Sequence, residues 1–542
     1  MFKKIFTSML AVLLIVALAC SMIACDGGSG KKDSKKSVEP SEEAFKDAYS
    51  EAVKEALTGI DKYYSNVDSI DTNNLGMTNS TSVNLSSELL NILSSFVPYD
   101  LSWINDVKIN NTDNFKGDLL SASTSILYNG NEFASATYIF DMASKCVYMS
   151  IPALSNVALK MDMSEMGDID EAISILELIS SIDLAAVLPD KTALKGLLSD
   201  ISNAIINSIE DVDFDETTIN VNGVSQDCVE YVVEISTKDL VNVAVNVLKK
   251  LQGNKNVETI VRDLWGTVSN YADEFGLPID SYTPEMITSM LNTYIGEALT
   301  MINENTASIP DINLGEWTSY ITDELEIIGV EFNVDLSTFY PSGAGVSASN
   351  AVISILTATD GSDIGFKMSV TAMNTTYAQI LGDFTKKGNA ISGTADVQVL
   401  GSTYAIIELA NVDTSKEYFT GAVTISPSAT LLDMVKSRFG SELASIGLNL
   451  ANPGIKFDVQ QNDGKTAKIA LSIINNGSAL ATFNVETGIG TAGNITIPSS
   501  TNNNPESWSE SLSAINLINK ANSLGLPPYI VELLWELEEE LN

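Results

Sequence analysis

The chain has 542 residues, of which 45% are apolar, and carries 70 acidic against 30 basic side chains, a net charge of −40. So acidic a chain repels the phosphate backbone, which excludes nucleic acid as a partner. The sequence contains no histidine, which excludes histidine-based triads and histidine metal sites. Its four cysteines are too few for a disulfide scaffold of this length.

The beginning of the chain, from Met1 to Cys25, has the layout of a secretory signal peptide. Lys3 and Lys4 precede an apolar run from Ile5 to Ala19, and a small residue, Ala24, precedes Cys25. This arrangement resembles the bacterial lipoprotein signal, in which the cysteine receives lipid such as palmitate and becomes the mature N-terminus. We therefore predict a signal peptide over 1–24, lipidation at Cys25 and a location on the outer face of the cell membrane.

Two alternatives stay open at this end of the chain. Cys20 also follows a small residue, but the chain after it is still apolar. Cys25 is favoured because residues 25–40 form a flexible, charged tether. The second alternative is an uncleaved anchor, although the apolar run is near the lower limit of about 17–25 residues for a membrane span.

Residues 41–303 are predicted to form a first lobe that mixes helices and hairpins. Apolar residues recur every three or four positions from Phe45 to Tyr63, which predicts an amphipathic helix. Residues 121–151 read as three strands, with a type I′ turn at Asn129-Gly130. A second hairpin turns at Asn222-Gly223. Helical periodicity marks Ile169–Leu184, Lys191–Ile209, Leu240–Leu251, Val257–Phe275 and Pro284–Ile302.

Residues 304–345 are irregular and are predicted to connect this lobe to a second one at 346–542. The second lobe reads as a strand meander with short Gly, Asn and Asp turns, closed by helices after Trp508. The predicted fold class is α+β. It has a large curved antiparallel sheet, or sheets, with an N-terminal helix, a central helical insert and C-terminal helices.

An internal repeat is visible between residues 125–134 and 472–481. Both segments place two apolar residues shortly before an Asn-Gly turn, and each is followed downstream by Ile-Pro, at Ile151-Pro152 and Ile497-Pro498. The alternative without duplication is that two unrelated hairpins share a common type of turn. The shared order of strand, helix, strands and Ile-Pro favours an internal duplication.

The signal at residues 21–25, the Asn129-Gly130 hairpin with residues 147–152, and residues 228–231 together resemble Gram-positive (Firmicutes-type) surface lipoproteins. More distantly, the chain resembles half-barrel lipoproteins of the LolA and LppX type. The resemblance implies a cell-envelope lipoprotein that holds an apolar ligand between sheet and helices. None of the matching motifs is catalytic, so the resemblance implies no catalytic residues and no cofactor.

Several motifs invite a chemical interpretation. Asp211, Asp213 and Asp215 alternate as at the start of a calcium loop, but the sixth and twelfth positions are Glu216 and Asn222 instead of Gly and Glu. Gly464-Lys465-Thr466 lies in a strand pair and is predicted to be a hairpin turn, not a phosphate loop. Carboxylate pairs that could cleave glycans are not distinguishable among so many acids. We therefore predict no metal site.

Cys146 and Cys228 are the two cysteines outside the signal. Because side chains alternate along a strand, Cys146 lies on the face opposite to that of Val147 and Met149. In the same way, Cys228 lies on the face opposite to that of Val229 and Tyr231. If the two strands are neighbours, the cysteines can form a disulfide. It would close a loop of about 80 residues and contribute about 4–5 kcal/mol.

Three classes of function stay open. The first is a non-enzymatic lipoprotein that binds an apolar small molecule or an envelope protein. The second is a structural or adhesive surface protein, and the third is a histidine-free glycan-active enzyme. For the first class, we predict an apolar cavity between the sheet and the helices, because a sheet with one apolar face must cover it. The residues predicted to border this cavity are Phe45, Tyr49, Ala52, Ala56, Tyr148 and Tyr231.

Overall fold

The computed structural model describes residues 38–68, 70–71, 73–163, 188–272, 283–336, 350–413, 419–445, 450–462 and 464–541. The predicted signal, Cys25, most of the tether and the predicted helix over Ile169–Leu184 lie outside these residues. The described part contains ten α-helices and twenty strands, nearly all antiparallel. This confirms the predicted α+β class.

The described residues fall into two compact units. Unit 1 comprises those within Met1–Ser65, Ala185–Lys416 and Ser428–Thr430. Unit 2 comprises those within Asn66–Leu184, Glu417–Pro427 and Leu431–Asn542. The division does not fall at 304–345, where two strands of unit 1 lie, because strands distant in sequence pair within unit 2.

The sheet of unit 1 is an antiparallel meander in which each strand pairs with the next along the chain. Its strands are β7 (Val212–Val221), β8 (Val224–Ser236), β9 (Asn313–Ile321), β10 (Ile327–Asp335), β11 (Asn350–Asp360), β12 (Asp363–Ala372), β13 (Thr375–Lys387), β14 (Ala390–Val399) and β15 (Ser402–Asp413).

The helices of unit 1 are α1 (Glu42–Asp68, assigned to this unit up to Ser65), α3 (Lys191–Ile206), α4 (Thr237–Leu251), α5 (Lys255–Ala272) and α6 (Pro284–Thr306). Helices α4 to α6 form the helical insert between β8 and β9. The insert leaves and rejoins the sheet at one place, because Ser236 at the end of β8 pairs with Asn313 at the start of β9. The Thr237 amide also donates to the Ile312 carbonyl at 3.0 Å.

Helix α1 packs on one side of β8, β9 and β10. Phe45 is fully buried and lies between the rings of Tyr49, Tyr231 and Trp317, with centroids 5.0 to 5.8 Å apart. The Tyr49 hydroxyl lies 2.7 Å from the hydroxyl of Ser319, which is also fully buried. The amphipathic helix predicted from residue 45 is thus confirmed, and its apolar side forms the main core of unit 1.

On the other side, the sheet of unit 1 curls until its first strands pack against β11 and β12. A Cβ on Gly365 of β12 would lie 1.9 Å from the Val221 carbonyl oxygen, so a larger residue there is excluded. The Asn222 amide donates to the Gly382 carbonyl at 3.0 Å. The β7–β8 hairpin is therefore held against the later strands by the close backbone approach at Gly365 and by the hydrogen bond from the Asn222 side chain.

Unit 2 contains strands from distant parts of the chain, because the strand Asn74–Leu85 pairs with Val107–Lys116 on one side and with Ser478–Thr491 on the other. Its strands are β1 (Asn74–Leu85), β2 (Val107–Lys116), β3 (Leu119–Tyr128), β4 (Asn131–Asp141), β5 (Cys146–Ser150), β6 (Ala158–Asp162), β16 (Thr420–Pro427), β17 (Pro453–Asn462), β18 (Thr466–Asn475), β19 (Ser478–Thr491) and β20 (Thr501–Asn502).

The helices of unit 2 are α2 (Ser87–Ser94), α7 (Ala429–Ser445, of which the first two residues belong to unit 1), α8 (Pro505–Ser509), α9 (Ile515–Leu524) and α10 (Pro528–Leu541). The N-cap residue of α9 is Ala514, whose methyl side chain cannot accept a hydrogen bond from the helix. The carboxylate of Glu538 in α10 accepts from the Ala514 amide and from the Ser513 hydroxyl. A buried glutamate thus joins the two C-terminal helices.

The two hairpins of the predicted repeat both lie in unit 2 and match in detail. Asn129 and Gly130 have φ of 51° and 74°, and Asn476 and Gly477 have φ of 51° and 76°. Each hairpin also has a register shift directly after the aligned isoleucines, Ile126 and Ile473. The predicted type I′ turn at Asn129-Gly130 agrees with these positive angles.

Candidate apolar binding face

Ten large apolar side chains lie on one side of the unit 2 sheet and are exposed to solvent. They share a side because they stand opposite one another across paired strands, as Ile455 does with Ile473 and Leu471 with Phe483. Between 37% and 56% of each residue is exposed. We call this set the apolar face: Ile109, Ile126, Tyr138, Phe419, Ile425, Ile455, Leu471, Ile473, Phe483 and Ile489.

The side of the sheet that carries the apolar face spans eight strands, from β16 through β17, β18, β19, β1, β2 and β3 to β4, and the ten residues lie on or beside all of them except β1. One row of paired residues runs from Ile469 through Val485, Thr81 and Ile109 to Ile126. With neighbouring strands about 4.8 Å apart, eight strands extend over about 34 Å. A surface of this breadth is wide enough to contact a large apolar partner or a long apolar molecule.

Around β18, the opposite side of the sheet carries mostly small and polar residues. On β18, Ala470 and Ser472 are buried, at 6% and 7% exposure, although their neighbours Leu471 and Ile473 are 46% and 56% exposed. The Ser472 and Thr482 hydroxyls lie 2.9 Å apart across the strands. Alternation places Ile469, Leu471 and Ile473 on one face, as predicted, but it is the small-residue side that is buried.

Several polar side chains on that opposite side hydrogen-bond to one another across the strands. The Ser80 hydroxyl donates to the Asn110 side chain at 2.6 Å, and the Ser123 and Thr137 hydroxyls lie 3.0 Å apart. Such cross-strand pairs satisfy polar groups when they lose contact with water. These pairs allow the small polar side chains to be buried, whereas Lys108, Lys468 and Glu486 on the same side have side chains that are 44% to 47% exposed.

The C-terminal helices cover one end of the apolar side. Tyr128, which is on the same side of β3 as Ile126, is buried against Ala521 of α9 and Leu526. Trp103 packs there too and donates its indole N–H to the Tyr529 hydroxyl. Helices α9 and α10 thus bury the Tyr128 end and leave Ile126 37% exposed.

The residues predicted to border a cavity beside the first helix lie in several places. Phe45, Tyr49 and Tyr231 are buried together in the unit 1 core, at 0%, 3% and 2% exposure. Ala52 packs against the same core, whereas Ala56 is exposed. These three aromatic rings pack on one another and on neighbouring core residues, away from solvent.

Tyr148 belongs to a core cluster of unit 2, with Ile139, Cys146 and Ile495, and is not in the cluster of Tyr231. Cys228 lies in unit 1 and packs against Tyr320 and other residues of the inner side of the curl. Both cysteines are buried free thiols, so the disulfide that the sequence allowed is not formed here. Burial raises the pKa of the Cys228 thiol to about 11.

A pair of carboxylates that the sequence did not single out meets at Tyr320. The Tyr320 hydroxyl lies 3.1 Å from an oxygen of Glu230 on β8 and 3.1 Å from an oxygen of Glu331 on β10. Burial, together with these two carboxylates, raises the pKa of Tyr320. The nearby Trp317 packs with α1 on the other side of the strand, so it does not line the carboxylate pair.

Two cavities lie in the helical insert. One of about 500 Å³ is lined by residues of α5 and α6 that include Glu258, Arg262 and Glu285, and one of about 720 Å³ is lined by Gln252 and residues of α6. Their linings mix charged and hydroxyl side chains with a few apolar ones. They differ in character from the apolar cavity predicted beside α1.

The remaining motifs lie in ordinary local structure. Asp213 and Asp215 are exposed residues of strand β7. Gly464 lies between β17 and β18, as predicted for a hairpin turn. Among the residues that the structure describes, no three His, Cys, Asp or Glu side chains are grouped closely enough to hold a metal ion.

No family model, no curated protein and no solved structure matches this chain. Within the described ranges, no helix has the length and apolar character needed to cross a membrane.

Proposed function

We propose that the chain is a lipid-anchored, extracytoplasmic, non-enzymatic protein that binds an apolar ligand on the apolar face of unit 2. The observation that carries the proposal is the exposure of ten large apolar side chains on one side of a single sheet. The largest apolar patch on a typical soluble monomer covers about 300–600 Å² and is often functional. The apolar face exposes on the order of 900 Å² and so exceeds that range.

The chemistry of the face favours an apolar ligand over a charged one. Of the described side chains on this side of the eight strands, Asp113 is the only one with a charge. The face thus offers no cation to an anionic head group. Aliphatic and aromatic side chains gain about 25 cal/mol for each Å² of apolar surface removed from water, which is sufficient to hold an uncharged apolar molecule.

The anchoring half of the proposal rests on the sequence. The residues before Cys25 match a lipoprotein signal, and the charged tether after it supplies reach. We expect the wild-type protein to enter the detergent phase in a detergent partition. Cys25→Ala should leave it in the aqueous phase, whereas retention in the detergent phase would indicate lipidation at Cys20 or an uncleaved anchor.

The binding half is tested with an environment-sensitive apolar dye on the delipidated chain, without the predicted signal peptide and with Cys25→Ala. We expect saturable binding that falls at least tenfold in Ile473→Glu. Ala479→Glu adds the same charge at an exposed residue of the same hairpin and serves as the matched control, because Ala479 pairs with Ile474 on the opposite side of the sheet. Absence of saturable binding by the folded wild-type chain would contradict the proposal and favour a structural or adhesive protein.

A further inference from the structure

We infer that, when it holds no ligand, the apolar face of unit 2 is covered by the same face of a second copy of the chain. The proposal concerns self-association and does not require the ligand proposal to be correct. It rests on three features of the face: its area, its lack of charge and its geometry.

The area is sufficient for a stable dimer. The ten residues are each 37% to 56% exposed. If a large apolar residue has about 200 Å² of surface, the face offers on the order of 900 Å². Specific protein interfaces bury about 800 Å² on each partner, so one face against its copy reaches the standard size without any other contact.

The distribution of charge points to a copy of the same chain. Charged residues make up 18% of the sequence and give it a net charge of −40, so two copies repel one another over most of their surface. On this side of the eight strands, Asp113 is the only described charged side chain, and the neighbouring Lys108 and Glu486 project from the opposite side. Two copies can therefore meet there with little like-charge contact, and a charge-depleted centre is typical of interfaces.

The geometry fits a two-fold interface. An open antiparallel sheet can pack face to face on another at about 10 Å, with the strands of the two sheets within about 30° of each other. A two-fold axis brings the same patch of both copies together, so Ile455, Leu471, Ile473 and Phe483 would be buried twice in one dimer. In this arrangement the second copy removes the apolar face from solvent. The C-terminal helices do so only at the end near Tyr128.

Sedimentation of the delipidated chain, without the predicted signal peptide and with Cys25→Ala, tests the inference. We expect a monomer–dimer equilibrium with mostly dimer at about 100 µM, and a dimer dissociation constant at least tenfold higher in Ile473→Glu. Ala479→Glu, on the opposite side of the sheet, should leave the equilibrium unchanged. Since screening reduces repulsion between acidic copies, the dimer should also become tighter between about 0.05 and 0.5 M salt.

Three results would overturn the inference: a monomer at all concentrations, a dimer that Ile473→Glu does not weaken, or a dimer that salt dissociates. Circular dichroism of each variant shows whether the fold is retained, and Ile455→Glu provides a second charged substitution at a residue that is 56% exposed. A monomer that binds the dye saturably would contradict self-association and leave the proposed function intact. A dimer that binds no dye would support self-association and contradict the proposed function.

Discussion

The hydroxyl of Tyr49 lies 2.7 Å from the hydroxyl of Ser319 in the unit 1 core, joining the first helix to a strand 270 residues further along the chain. Both residues are nearly or fully buried, at 3% and 0% exposure. Water cannot readily replace a partner at such a site, so this hydrogen bond fixes the position of α1 on the sheet.

We expect Tyr49→Phe to lower the free energy of unfolding by about 1–2 kcal/mol, because it removes the hydrogen bond and leaves the buried Ser319 hydroxyl without this partner. Urea denaturation provides the measurement. Tyr63→Phe makes the same chemical change at a residue that is 56% exposed and should alter stability little. Equal effects of the two substitutions would show that the Tyr49 hydroxyl contributes nothing specific.

Glu538 should stabilise unit 2 by capping α9 from a neighbouring helix. Its carboxylate, only 8% exposed, accepts from the Ser513 hydroxyl and the Ala514 amide. Hydrogen bonds to a charged group contribute about 1.5–3 kcal/mol, so Glu538→Ala should lower the unfolding free energy by about that amount. Glu539→Ala, at the adjacent exposed position, is the control. Protease cleavage within the C-terminal helices should accelerate only in the first variant.

The Cys228 thiol should react slowly in the native protein. Burial raises its pKa from 9.0 to about 11, so near neutral pH the thiolate fraction is about a hundredfold lower than for an ordinary thiol. In a chain that lacks the predicted signal peptide and carries Cys25→Ala and Cys146→Ser, Cys228 is the remaining thiol, and a thiol reagent at pH 8 should label it only after denaturant is added. Rapid labelling without denaturant would contradict the buried position of Cys228.

The same shift gives a direction to the pH dependence of stability. A raised pKa means that the fold favours the neutral thiol, so its contribution is complete below about pH 9 and is lost as the pH rises through 11. Across this range, the Cys228→Ala chain should lose less stability than the wild-type chain does. Urea midpoints of the two chains at pH 8 and pH 10.5 provide the comparison, and parallel losses would contradict it.

The Asn129-Gly130 turn should be sensitive to substitution at Gly130, whose φ is +74°. Alanine in the left-handed region costs about 1 kcal/mol, so Gly130→Ala should lower stability by about that amount. Gly440→Ala is the matched control, because Gly440 lies in helix α7 with nothing within 4 Å of an added Cβ. That change should be neutral or stabilising, since alanine favours helices. A fall in stability equal to that of Gly130→Ala would contradict the turn argument.

Local chemistry accounts for what the sequence predicted correctly. The turn at Asn129-Gly130 is predicted from the identity of two residues. The helix after residue 41 is predicted from apolar residues that recur with a period of 3.6. The shared side of Ile469, Leu471 and Ile473 is predicted from the alternation of side chains along a strand. Each of these signals lies close in sequence to the feature that it predicts, so tertiary structure did not need to be known.

Long-range pairing accounts for the rest. Nothing near Leu471 shows that its side of the sheet remains open, because that depends on where α9 and α10 end their cover. Glu230 and Glu331 meet at Tyr320 only because β8, β9 and β10 pair in one register after the helical insert. In the same way, the pairing of β1 with β19 joins segments near opposite ends of the chain and sets the division into units.

The pairing of Ser236 with Asn313 has a consequence for how this chain could change over evolutionary time. The segment between them departs from and returns to neighbouring points on the sheet, so its length does not affect the register of β8 with β9. Each doubling of the length of such a segment adds only about 0.6 kcal/mol to the entropic cost of closing it. Insertions, deletions or whole-domain exchange at this position are therefore tolerated by the sheet, and relatives of this chain should differ most in the size of their helical insert.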